Sequence, residues 1–210
     1  MTVNLCAGTL VIDDPDELLL SYIDPAAGNA FPSYDELVTN GAAELVDGDL
    51  LAPVLMGVHL DTARFLLLKG MQPDLQAALA ALPPTSLADT DDAGLELVAA
   101  CFADLDHPRY AAQRVRGTIL SKVLHRKRPD LVPLYDSRIW TAYTTTDAVP
   151  RSGRRTWVEF MTLLCAQMRD ELRSESAEME RLVGVARSHG ATLTPLRILD
   201  ILVWMSAEPH

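Results

Sequence analysis

The stretch RVRGTILSKVLHRKRPDLVPLYDSRIWTAY, residues 114–143, decides how the rest of the chain is read. It joins the most basic run in the protein to a proline-bounded loop and a second helical pattern, with Asp136 at the joint. Over residues 117–128, Ile119, Leu120, Val123 and Leu124 share one helical face while Thr118, Lys122 and His125 share the opposite one, so the spacing predicts an amphipathic helix. Arg126, Lys127 and Arg128 fall in its last turn, where cations complement the negative helix end, and Pro129 stops it. The same cationic run is a candidate phosphate-binding patch. Pro129 and Pro133 stiffen the loop that presents Tyr135-Asp136-Ser137, and Asp136 is placed to cap a helix starting near Ser137. Capping alone accounts for Asp136. A carboxylate at a helix start is equally suited to face a developing cation or to orient water, and the two roles are compatible.

Around this stretch the chain is acidic or apolar. Its 210 residues are 49% hydrophobic, enough for a packed core, and Leu and Ala dominate the periodic segments while aromatics make up 6%. The expected fold is all-α: a single helical domain with an acidic helical part (residues 1–106), the basic helix-loop-helix motif (107–155) and C-terminal helices (156–210). Asp14-Pro15 opens a helix reaching about Ile23. Ser33-Tyr34-Asp35-Glu36 has the form of a capping box before a short helix ending near Asn40-Gly41. Residues 50–68 lack a polar face, which predicts burial. Pro73-Asp74 reads as the start of a separate helix closed by Pro83-Pro84, residues 85–92 as the best linker candidate, and residues 93–105 as another helix. Residues 156–187 read as one long or two shorter helices. Thr194-Pro195 opens LRILDILVWM, apolar nearly all round and so a core element or an oligomer contact.

The net charge of −11 argues against a protein that coats nucleic acid, but between Arg109 and Arg155 there are 11 Lys or Arg against three acids. Such asymmetry points to a local anionic partner, or to an acidic face of the same or a neighbouring chain. No apolar run is long enough for a membrane span and no secretory leader is visible, so a cytoplasmic protein with no membrane association is expected. Cys6, Cys101 and Cys165 are odd in number and far apart, which fits buried thiols better than a disulfide framework or a zinc knuckle. No histidine pair has metal-ligand spacing and no cofactor motif is visible.

The motif SKVLHRKRPDLVPLYDSRIW together with the LRILDILVWM helix resembles a family of uncharacterised actinobacterial proteins, a domain-of-unknown-function group that brings no activity with it. More distantly, the stretch resembles the helix-hairpin-helix DNA glycosylase superfamily, in which a glycine hairpin leads through a helix and a proline-containing loop to an essential aspartate. The 20-residue step from Arg116 to Asp136 matches that pattern. The resemblance implies a catalytic Asp136 that stabilises a cationic sugar as a base departs. The ligand contacts expected from the basic segment are Arg114, Arg116, Thr118, His125, Arg126, Arg128, Tyr135 and Arg138. Three departures stand out. The hairpin glycines are replaced by Arg114 and Arg116, Thr118 stands where bifunctional members carry a nucleophilic lysine, and the cysteines that bind an iron–sulfur cluster in some members are missing. A lyase reaction through position 118 is thereby excluded, whereas a monofunctional, water-using reaction is not.

Lys122, one turn beyond Thr118, is the remaining candidate amine. His107 and His125 are weaker acid–base candidates. Tyr135, Trp140 and Tyr143 can stack on a base, with core packing favoured for Trp140. Asp200, embedded in an apolar helix, is expected to pair with Arg197 in a structural role. The leading expectation is a glycosylase-like protein that binds a nucleic-acid or nucleotide-like ligand and hydrolyses an N-glycosidic bond. Two alternatives stand beside it: a non-enzymatic interaction or regulatory module, homo-oligomeric or bound to an acidic partner, and an enzyme acting on a small metabolite.

Overall fold

The computed structural model describes residues 2–37, 44–112, 115–145 and 148–207. The chain is mostly helical. Strands β1 (Val3–Leu5) and β2 (Leu10–Ile12) form an antiparallel hairpin with Val3 opposite Ile12. Among the described residues ten α-helices follow: α1 (Pro15–Ile23), α2 (Asp47–Leu51), α3 (Thr62–Ala81), α4 (Asp92–Ala100), α5 (Pro108–Ala112), α6 (Gly117–His125), α7 (Ser137–Thr145), α8 (Trp157–Ser174), α9 (Ser176–Ser188) and α10 (Pro195–Ser206). Among the described residues, none of these is long and apolar enough to cross a membrane.

Local signals set most of the helix starts. Asp14 accepts the Glu17 N–H at 3.0 Å, with Pro15 opening α1. Thr156 and Glu159 form a reciprocal capping box on α8, and Thr194 caps α10 ahead of Pro195. Helix α10 is the central element. It packs against α1, α7, α8 and α9, and every residue from Leu196 to Val203 is buried. One contiguous cluster of buried apolar side chains runs from Val3 to Val203 and includes the thiols of Cys6, Cys101 and Cys165, all unpaired by disulfides.

Several elements depart from expectation. Pro73 does not start a helix; it lies inside α3 on an exposed side, while Met71, Leu75 and Leu79 anchor the buried side. Residues 50–68 are not uniformly buried, since Leu51, Val54, Leu55 and Leu66 are exposed. The segment at Ser33–Glu36 forms turns instead of a helix, because Asp35 is drawn to Arg197 and Tyr34 to the backbone of α6. The expected end of that helix at Asn40-Gly41 lies outside the described residues. The β-hairpin, read from sequence only as an apolar start, turns through Cys6, Ala7 and Gly8, all at positive φ. Buried Glu171 holds it by accepting the Ala7 N–H at 3.2 Å and the Tyr143 hydroxyl at 2.7 Å.

Helix α6 shows the largest difference. Its polar face is not a solvent face: Ser121, Lys122 and His125 are buried along with the apolar residues. Tyr34, from the turn at residues 31–36, covers it and donates its hydroxyl hydrogen to the Lys122 carbonyl at 2.7 Å. At its other end, a Cβ on Gly117 would stand 2.4 Å from the Trp157 ring and 3.1 Å from Tyr135. Gly117→Ala is therefore expected to cost about 1–3 kcal/mol through overpacking, read as a lower urea midpoint. A Trp157→Leu background should recover part of the loss; an unchanged midpoint for the single variant would contradict the contact.

Candidate functional site

Loop 133–136 delivers Asp136 to the first turn of α7, where one carboxylate oxygen, Oδ1, accepts the N–H groups of Arg138 at 2.9 Å and Ile139 at 3.1 Å. The other oxygen, Oδ2, has no hydrogen-bond or ion-pair partner among the described residues. Asp136 lines a cavity of about 250 Å³ whose wall also includes Lys122, Tyr22, Arg197, Asp200 and Trp204. The turn at residues 52–57 closes one side through Leu55, Met56 and Gly57.

Lys122 is 3% exposed and lines this cavity without a hydrogen bond or ion pair to its amine among the described residues. Burial pushes its pKa below the ordinary lysine value; Asp136 and Asp200 pull it part of the way back, and Arg197 adds to the depression. Asp200 is displaced the opposite way, up to about 6, by burial and by the negative charge of Asp136, with Arg197 and Lys122 opposing. The cavity thus holds one carboxyl group, Asp200, and one amine, Lys122, whose proton affinities are drawn towards neutrality from opposite ends, beside the Asp136 carboxylate, the arrangement expected where protons are exchanged.

Arg197 organises one wall. Its Nε donates to Asp35 Oδ1 at 2.6 Å, its Nη1 to Asp200 Oδ2 and its Nη2 to the Tyr22 hydroxyl, which donates in turn to Asp35 Oδ2 at 3.2 Å. Burial alone would raise the Asp35 pKa, yet the guanidinium holds it below the ordinary value. The i,i+3 pairing of Arg197 with Asp200 agrees with the sequence reading. Asp200 also faces the cavity, which a structural assignment did not include.

The other residues singled out from sequence are dispersed. Arg138 is not among the residues lining the cavity but contacts Trp204, which is, its guanidinium 4.1 Å from the centre of the Trp204 ring and bonded to the Trp204 carbonyl at 3.2 Å. Tyr135 turns away, edge-on to Trp157 and Phe160. Arg116 and Thr118 line a separate open cleft with His59 and Arg64, and Arg114 lies outside the described residues. The cationic run is directed into the fold instead of being displayed. His125 is buried with its pKa lowered to about 3, chiefly by burial, and its Nδ1 lies 2.7 Å from the Val132 carbonyl oxygen. Arg126 donates to the carbonyls of Tyr34 and Leu37, Lys127 pairs with buried Asp49 at 2.7 Å, and Arg128 donates to the carbonyls of Pro83 and Thr85. These side chains fasten distant segments to the end of α6, so none of the three lines the cavity. The last of those bonds and the Leu87 N–H to Asp130 carbonyl bond at 2.8 Å also tie down the 85–92 segment. Trp140 is 37% exposed rather than packed in the core, whereas Tyr143 is buried. Sequence reasoning passed over Tyr22 and Asp35, which carry no local signal of their role. Among the described residues no group of three or more His, Cys, Asp or Glu is placed to hold a metal ion.

The model of a protein family described as a family of unknown function, DUF6308, matches residues 16–207. No curated protein and no solved structure matches the chain.

Proposed function

Because the chain belongs to the DUF6308 family, whose function is unknown, we propose its activity from the cavity itself: hydrolysis of the N-glycosidic bond of a nucleoside-like ligand, with Asp136 as the carboxylate that faces the cationic sugar. The observation that carries this reading is the gathering of Lys122, Asp136 and Asp200 around a space of about 250 Å³, sized for one nucleoside unit and too small for a duplex. As the bond from the sugar's anomeric carbon to nitrogen breaks, its electron pair leaves with the base. Asp136 Oδ2 stabilises the positive charge left on the sugar. Water attacks that carbon, and its proton passes to the amine of Lys122 in its deprotonated form and on to the departing base, so that sugar and free base are the products. Burial lowers the proton affinity of the amine, with Asp136 and Asp200 opposing and Arg197 assisting. The helix-hairpin-helix glycosylase likeness of the 114–143 stretch supports the same reading, with the ligand contacts moved from the cationic run to the cavity.

The direct test is release of free base, followed by chromatography, from nucleosides and from short single strands carrying common and damaged bases. Activity is expected in the wild type and should fall by about 100-fold or more in Asp136→Asn. The rate should rise with pH as Lys122 loses its proton. If no base is released from any of these substrates by a folded wild-type chain, the reading fails.

A further inference from the structure

Tyr135, next to the Asp136 that lines the Lys122 cavity, lines a second and separate cavity of about 480 Å³. Its apolar side is an edge-to-face cluster of Tyr135, Trp157 and Phe160, with ring centres 5.3 to 6.1 Å apart. Facing it is Trp140, 37% exposed, with the Arg151 guanidinium carbon 4.9 Å from the ring centre. Arg155 supplies a second guanidinium. Neither arginine forms an ion pair among the described residues: Arg151 has one long bond, 3.4 Å, to the Thr144 hydroxyl, and Arg155 donates to the Pro150 carbonyl at 2.5 Å. None of the described residues lining the cavity is a carboxylate. In a chain of net charge −11 with 29 acidic residues, two cations without an acidic partner among the described residues stand beside a partly exposed indole, an arrangement suited to an anionic aromatic ligand.

The chemistry narrows that ligand. A simple anion would use the arginines and leave the indole wet; a neutral apolar ligand would use the rings and strand two guanidinium charges. We propose that this cavity binds a planar aromatic ring bearing a phosphate, which is the chemistry of a nucleotide. The ring stacks on Trp140, taking the place of the Arg151 guanidinium, itself a planar π-system. Arg151, released from the indole, joins Arg155 on the phosphate, where charge-assisted bonds are strongest. The site uses none of the residues of the Lys122 cavity, so it stands whether or not the proposed hydrolysis does. Its nucleotide can be free or part of a single strand.

The test is calorimetric titration of the full chain with each of the four common nucleoside 5′-monophosphates, the matching nucleosides, inorganic phosphate and a four-nucleotide single strand. At least one monophosphate is expected to bind, with its nucleoside and phosphate alone weaker by about tenfold or more. The double variant R151Q/R155Q and, separately, W140L should each weaken binding by about tenfold. Tighter binding of the strand than of any monophosphate identifies a strand as the source, and the reverse order identifies a free nucleotide. Arg151 is exposed and Arg155 half-buried, so the double variant is expected to keep the wild-type urea midpoint; if it does not, W140L decides. Absence of binding at millimolar concentrations, or affinity unchanged in R151Q/R155Q and W140L, would overturn the proposal.

Discussion

Replacing Arg197 by methionine is expected to destabilise the protein by about 3–5 kcal/mol, the range for removing one partner of a buried ion pair. The side chains of Arg197, Asp35 and Asp200 are each no more than 5% exposed, and the single guanidinium serves both carboxylates and the Tyr22 hydroxyl. Truncation leaves two buried carboxyl groups at the α1–α10 contact, with only the Tyr22 hydroxyl bonded to Asp35 to compensate them. Arg197→Lys keeps the charge but not the fork, so it should lie between wild type and Arg197→Met. Urea midpoints at constant slope provide the measurement, and a loss below about 1 kcal/mol for Arg197→Met would contradict the network. The pH dependence separates the two acids. Asp35, with its pKa lowered, contributes stability that is present above the ordinary carboxylate range and lost as pH falls through its folded value. Asp200, raised to about 6, does the opposite: its contribution is complete below the ordinary value of 3.8 and is lost as pH rises through about 6. Asp200→Asn should therefore flatten the stability profile between those values.

Lys122→Met is expected to separate stability from function. The amine is buried with no hydrogen bond or ion pair among the described residues, so its charged form is unfavourable in the folded state. Methionine fills a similar volume without that cost, and a gain of about 0.5–2 kcal/mol at neutral pH is expected, in the range typical when a functional site is traded for stability. The sign follows from linkage. A lysine with a lowered folded pKa binds fewer protons folded than unfolded, so wild-type stability rises with pH through the interval between the folded value and 10.5. The variant should lack that rise. Base release, in contrast, should fall by about 100-fold or more, as expected when a group that receives a proton is removed. A variant that loses stability and keeps activity would show Lys122 to be an ordinary packed side chain.

The features that were legible in sequence are those set within one turn of chain. Asp14-Pro15, Thr194-Pro195 and the Asp136 cap each place a hydrogen-bonding side chain two or three residues before the N–H it receives. The i,i+3 spacing of Arg197 and Asp200 is of the same kind. What escaped is set by chain brought from far away. Lys122 sits opposite the apolar stripe of α6, which in isolation reads as a solvent face; Tyr34 and α10 turn it into a cavity wall. The cationic run looked like a phosphate patch because its acceptors, the carbonyls of Tyr34, Pro83 and Thr85 and the carboxylate of Asp49, are nowhere near it in sequence. Pro73 was a valid local stop signal, overridden by the anchoring of Met71 and Leu75 on one buried stripe.

Asp136 is proposed to face a cationic sugar inside the Lys122 cavity. This role is tested most directly, without knowledge of the natural substrate, by calorimetric binding of a protonated pyrrolidine iminosugar, which carries the charge and shape of that sugar. Wild type is expected to bind it and Asp136→Asn to weaken binding by about 100-fold, with R151Q/R155Q unaffected. Equal binding by wild type and Asp136→Asn, or none by either, would contradict it.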